Sequence, residues 1–115
     1  YWWHCDGSLR TSLDLVPEMG ADVLHYFDAE IDIGQVKEKI GDRMCLIGNI
    51  HPIKVLLRGS PQQVEAACKE AIGKAARGGG FVLSTGGELL PNTPPENIDT
   101  MLVATEKYGK YGSNI

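Results

Sequence analysis

The sequence predicts an α/β fold in which four parallel strands alternate with four helices and curve into half of an eight-stranded barrel. Three observations predict it. Apolar runs of strand character recur at residues 1–5, 22–27, 44–50 and 81–83, and each is followed by a segment with helical start or stop signals. No two of these runs are joined by a hairpin turn, so neighbouring strands must be linked by crossovers, which are right-handed and put the helices outside a curving sheet. The run at 44–50, MCLIGNI, is apolar without alternation, as in a strand covered on both faces. Four such units alone leave two unpaired parallel edges and a bare inner face. The sequence therefore predicts either that the other strands belong to an N-terminal half absent from this chain, or that two copies close one barrel. A flat doubly wound sheet is the alternative, with its helices divided between two faces.

Residues 1–5 are aromatic-rich and read as a short buried strand, with a loop at Asp6-Gly7-Ser8. A helix is expected over 11–19, with Leu13, Val16 and Met19 on one face and Gly20 as its stop, although Pro17 falls in its interior. The strand at 22–27 leads to a helix capped by Asp32, carrying Ile33, Val36 and Ile40 and closed by Gly41. After the strand at 44–50, Ser60 and Gln63 form a capping box with Pro61 first inside the helix. Val64, Ala67, Cys68, Ala71, Ile72 and Ala75 make its apolar face. Glycines 78–80 enter the last strand and read as a turn, since a phosphate loop would leave a strand instead. The stretch 81–97, FVLSTGGELLPNTPPEN, then runs from strand to a glycine-containing turn that a ligand can approach closely, and on to a helix. Thr93 and Glu96 have capping-box spacing with Pro94 placed first, and Ile98, Met101, Leu102, Thr105 and Tyr108 are the expected buried face.

At 115 residues and 43% hydrophobic, the chain has the size of one small domain with a core. A net charge of −4 gives no electrostatic footprint for nucleic acid or an anionic membrane, and no apolar stretch is long enough to span a bilayer. Three cysteines, Cys5, Cys45 and Cys68, are an odd number without close pairing, which points to reduced thiols and a cytoplasmic setting.

Ligands of parallel α/β folds collect at the carboxyl ends of the strands. There the sequence places His4 and Asp6 on one side of the first strand, Asp28 and Glu30 after the second, Asn49 and His51 after the third, and Ser84, Thr85 and Glu88 after the fourth. In-register parallel strands would bring this set to one rim. The plainer readings are that Asp28, Glu30 and Asp32 are acids favoured near a helix start, that His25 is a mid-strand core residue, and that Glu88 is a solvated loop acid.

Several stretches resemble the C-terminal half of the uroporphyrinogen decarboxylase family, whose superfamily includes the cobalamin-dependent methyltransferases. They are the His4-Cys5-Asp6-Gly7 turn, the segment from Gly41-Asp42 to Gly48-Asn49-Ile50, Gly59-Ser60-Pro61 with Val64, and the block from glycines 78–80 to Pro94-Pro95-Glu96-Asn97-Ile98. The resemblance runs over nearly the whole chain and implies the C-terminal half of a (β/α)8 barrel. The thiol-activating methyltransferases carry His-x-Cys-Gly and a later cysteine as zinc ligands. Here His4 matches the histidine, Asp6 replaces the first cysteine and Gly87 the second, so zinc would have to be held by His4 and Asp6 without thiolates. Gly87 also stands where the decarboxylases have a histidine. The resemblance thus implies a His-x-Asp-Gly branch that moves a methyl group from an O- or N-methyl donor to a corrinoid carried on a partner protein. His4 and Asp6 would then be catalytic, and Glu30, Asn49, Ser84, Thr85 and Glu88 would bind substrate. The alternatives are tetrapyrrole decarboxylation and a non-catalytic half-barrel that self-associates. Half of the barrel's loops being absent, the isolated chain is expected to be inactive even where its parent is an enzyme.

Overall fold

A computed structural model describes residues 2–4, 13–25 and 29–110. Within them, strands β1 (Trp2–His4), β2 (Val23–His25), β3 (Cys45–Ile50) and β4 (Phe81–Thr85) form one sheet in sequence order, with every neighbouring pair parallel. Helices α1 (Ile33–Ile40), α2 (Pro61–Ala75) and α3 (Pro95–Tyr108) complete the alternation. The architecture is half of a (β/α)8 barrel, as the spacing of strand and helix signals predicted. The expected loop at 6–8 and the end of the second strand at 26–28 lie outside the described residues.

The register explains the core. Trp3, Leu24, Leu46 and Phe81 are aligned across the four strands. Leu24 and Leu46 are fully buried, Phe81 is nearly so, and Trp3 packs against the same cluster, so this row faces the helices. On the opposite face Trp2 and Val82 stay exposed, and the Trp2 ring lies 5.1 Å from that of His25. From the helices, Val36 and Ile40 of α1 and Val64 and Cys68 of α2 fill the space over the buried row. Each fully buried Val or Ile contributes roughly 1.5–3 kcal/mol against being left in water.

Local chemistry starts two of the helices as expected. Asp32 accepts a hydrogen bond from Gly34 N–H at 3.3 Å. Ser60 Oγ accepts from Gln63 N–H at 3.2 Å, while Gln63 Oε1 accepts from Ser60 N–H at 2.7 Å, which completes the box. Such caps typically contribute about 1 kcal/mol.

Three expectations are corrected. The helix expected over 11–19 is, in its described part, two short 3-10 turns, Leu13–Leu15 and Pro17–Met19, because Pro17 has no N–H and its ring obstructs the preceding turn. The Thr93–Glu96 capping box does not form. Pro95 pushes Pro94 out of the helical region, to φ −59° and ψ 128°, so α3 begins one residue later and Thr93 Oγ1 donates to Leu90 O instead. The buried face of α3 also differs in part. Asn97 and Ala104 are buried and Met101 and Tyr108 partly so, whereas Leu102 and Thr105 are exposed.

Candidate functional site

Because all four strands run the same way, their carboxyl ends lie along one rim, and the loops that follow β2, β3 and β4 meet there. After β3 the chain closes into a π-helical turn, Pro52–Leu57, with Leu56 N–H donating to His51 O at 3.1 Å and Arg58 N–H to Ile53 O at 3.0 Å. His51 is extended before Pro52, as a residue preceding proline should be, and its ring caps the turn. Nδ1 accepts from Ile53 N–H at 3.2 Å and from Lys54 N–H at 3.1 Å. With Nδ1 held as an acceptor, the ring hydrogen is on Nε2, which donates to Glu30 Oε1 at 2.7 Å.

Glu30 also receives Lys54 Nζ at 3.1 Å and 3.2 Å, one contact to each carboxylate oxygen. These two donors, His51 first and Lys54 second, hold its carboxyl below the ordinary glutamate range. Asn49 is buried at the end of β3, and its Nδ2 donates to Ile31 O at 2.9 Å, tying the loop after β2 to the strand beside it. Across the sheet Asn49 is in register with Ser84, and Ile50 with Thr85.

Thr85 Oγ1 donates to Gly87 O, fixing the turn that leaves β4. In that turn a Cβ on Gly86 would stand 2.6 Å from Ala29 Cβ and 3.1 Å from Asn49 O. Glycine at 86 is what allows the loops after β2 and β4 to touch over Asn49.

The structure thus sets Asn49 beside Ser84 and Ile50 beside Thr85 at the ends of β3 and β4, whereas Glu30 lies in the loop after β2 against His51 and Lys54, and Glu88 is an exposed residue of the loop after β4. The backbone of His4 is in register with His25, which in turn pairs with Ile47, two residues before Asn49. The expected roles of the His4 side chain, Asp6 and Asp28 lie outside the described residues. Among the described residues no three His, Cys, Asp or Glu side chains gather closely enough to hold a metal ion. Asp32 belongs to the helix rather than the rim. It caps α1 and pairs with Lys74 at 2.9 Å, which lowers its own titration, while Glu70 first and Asp32 second push Lys74 up to about 12. Lys54 carried no sequence signal, because only the π-helical turn swings it back over Glu30. A lysine three residues after a strand-end histidine has no recognisable spacing of its own.

Parallel strands in sequence order, with polar side chains grouped at their carboxyl ends and apolar ones beneath the helices, define a barrel-type α/β protein with its ligand rim at the strand ends. Residues 1–108 match the family model described as Uroporphyrinogen decarboxylase (URO-D). The chain belongs to that family. A uroporphyrinogen decarboxylase of Coxiella burnetii (strain RSA 493 / Nine Mile phase I) is 29% identical over 84% of this chain and 26% of its own length. The Methylcobamide:CoM methyltransferase MtaA of Methanosarcina barkeri is 32% identical over 91% of this chain and 30% of its own length. Among solved structures, a methyltransferase from Methanosarcina mazei superposes with a TM-score of 0.81 at 28% identity, covering 95% of this chain and 31% of that one. The chain therefore spans between about a quarter and a third of these relatives. No helix among the described residues is long and apolar enough to cross a membrane.

Proposed function

We propose that the protein carrying this chain is a corrinoid-dependent methyltransferase that moves a methyl group from an O- or N-methyl donor to a corrinoid on a partner protein. The observation that carries the reading is the similarity, over nearly the whole chain, to two methyltransferases, one by sequence and one by structure. The corrinoid would supply the Co(I) nucleophile; the donor's C–O or C–N bond breaks and the heteroatom keeps the electron pair. On this reading His4 and Asp6 protonate or polarise that heteroatom. Glu30, Asn49, Ser84, Thr85 and Glu88 orient the donor at the rim. A thiolate-type zinc site does not fit these residues. Gly87, at φ 152°, brings no ligand atom, and Asp6 stands where the other thiolate would be, so no step is routed through a metal. A cytoplasmic setting with reduced thiols accords with this chemistry.

The test is to incubate the full-length protein with cob(I)alamin and, in turn, methanol, an aryl methyl ether and trimethylamine, following methylcobalamin by absorbance. His4→Ala should abolish the transfer; unaltered turnover would refute the assignment. The curated relatives named uroporphyrinogen decarboxylase support a second reading, decarboxylation of a tetrapyrrole. Incubation with uroporphyrinogen and mass spectrometry of the product would reveal it through lost carboxylates. A third reading, a non-catalytic half-barrel closed by self-association, is supported by the single sheet neighbour that β1 and β4 each have among the described residues. Sedimentation of this chain alone tests it, since a stable monomer would count against it.

A further inference from the structure

The interactions around Glu30 go beyond what substrate binding by a loop acid requires. The turn after β3 brings two donors to a carboxylate carried by the loop after β2, 21 residues earlier, and one of them is an imidazole whose second nitrogen is already occupied. His51 Nδ1 takes two main-chain N–H groups, so its Nε2–H has one orientation in which to donate, and Glu30 Oε1 lies there at 2.7 Å. The imidazole is mostly buried, at 18% side-chain exposure, whereas Glu30 is half exposed. A backbone-held, sheltered donor therefore meets a solvent-facing acceptor, an arrangement that fixes a carboxylate's position and not only its charge.

We propose that His51 is a positioning residue of the rim: it locks the Glu30 carboxylate in one rotamer and ties the loop after β2 to the π-helical turn after β3. Lys54 completes the clamp from the same turn. The other charged groups lining the hollow beside Glu30 are Asp32 and Lys39, and Asp32 is engaged by Lys74. The assignment rests on the reading of the rim as the substrate site only in its catalytic consequence, since the clamp itself is a property of the fold.

Three measurements decide it. In the full-length protein labelled with 15N, long-range proton–nitrogen spectra should show His51 with a bare Nδ1 and a protonated Nε2; the opposite tautomer, or rapid averaging of the two, would overturn the assignment. In the 13C carboxyl titration, His51→Ala should move the Glu30 midpoint up toward the ordinary glutamate value, and His51→Gln, which retains an N–H donor, should move it less. A midpoint unchanged in His51→Ala would contradict the clamp. Lys54→Met gives a second reading should His51→Ala fold poorly: the His51 tautomer should persist without the ammonium, and its loss would show that Lys54 rather than the backbone orients the ring. In the cob(I)alamin assay, His51→Ala should lower the rate at least tenfold with partial rescue by His51→Gln, and equal rates for all three would remove the positioning role. Absence of transfer in the wild type would speak against the methyltransferase reading alone, with the spectra still deciding the clamp.

Discussion

Asn97 sits in the first turn of α3 and is almost fully buried at 1% exposure. Its Nδ2 donates to Leu56 O and to Gly59 O, each at 2.9 Å, which anchors the helix to the turn that carries His51 and Lys54. Its Oδ1 is buried with no hydrogen-bond partner. Asn97→Ala would leave both carbonyls without this donor. A buried acceptor stripped of its donor costs about 1–3 kcal/mol, toward the low end at Gly59, where water reaches the partly buried bond. Removing Oδ1 offsets some of this, because an unpartnered buried oxygen is itself unfavourable by about 1 kcal/mol. The expected net loss is about 1–3 kcal/mol. With a urea slope of about 2 kcal/mol per M, the denaturation midpoint should fall by about 0.5–1.5 M at unchanged slope. Asn97→Leu retains bulk and loses the same bonds, so it should be destabilised nearly as much, and any excess in Asn97→Ala reports the cavity. Circular dichroism during urea titration of the three proteins is the assay. If Asn97→Ala stays within about 0.5 kcal/mol of wild type, the two bonds do not anchor α3 to the turn after β3.

Three further outcomes are expected. Gly86→Ala should cost about 1–3 kcal/mol by overpacking, since the new methyl meets Ala29 at 2.6 Å, and a variant of wild-type midpoint would show that the loops after β2 and β4 do not touch as described. Asp32 titrates below its ordinary value, chiefly through its hydrogen bond with Lys74, so its contribution is present above pH ~3.8 and lost as the pH falls through the lowered value. The stability gap between wild type and Asp32→Asn should accordingly shrink between pH 6 and pH 2, and a gap independent of pH would exclude a charge effect. Burial pushes the Cys68 thiol up to about 11, two units above its ordinary 9.0, which makes its thiolate about 100-fold scarcer at pH 8. Iodoacetamide should therefore label the half-buried Cys45 well before Cys68, as read by peptide mass spectrometry; equal rates would mean the core opens freely around α2.

The elements legible in the sequence are those whose cause is local. The Ser60–Gln63 box, the Asp32 cap and the glycine turn at 78–80 each depend on residues within a few positions, and strand β3 declares itself because a strand covered on both faces must be apolar throughout. From those pieces the parallel order follows, since short crossovers of one hand leave few other arrangements. Locality also marks where reading fails. Thr93 and Glu96 have the spacing of a cap, but two successive prolines shift the helix start by one residue and leave the Thr93 hydroxyl on Leu90 O instead.

Within the rim, the sequence by itself placed Glu30, Asn49, Ser84 and Thr85 near strand ends, because parallel strands carry position along the chain directly into position along the sheet. Only the tertiary structure decided what those residues touch. Glu30 meets a histidine 21 and a lysine 24 residues away, and Asn97 reaches back 41 residues to Leu56. Partners so distant leave no trace in local spacing. They are set by how a π-helical turn folds over its neighbour, and that depends on the packing of the whole sheet rather than on any stretch of it.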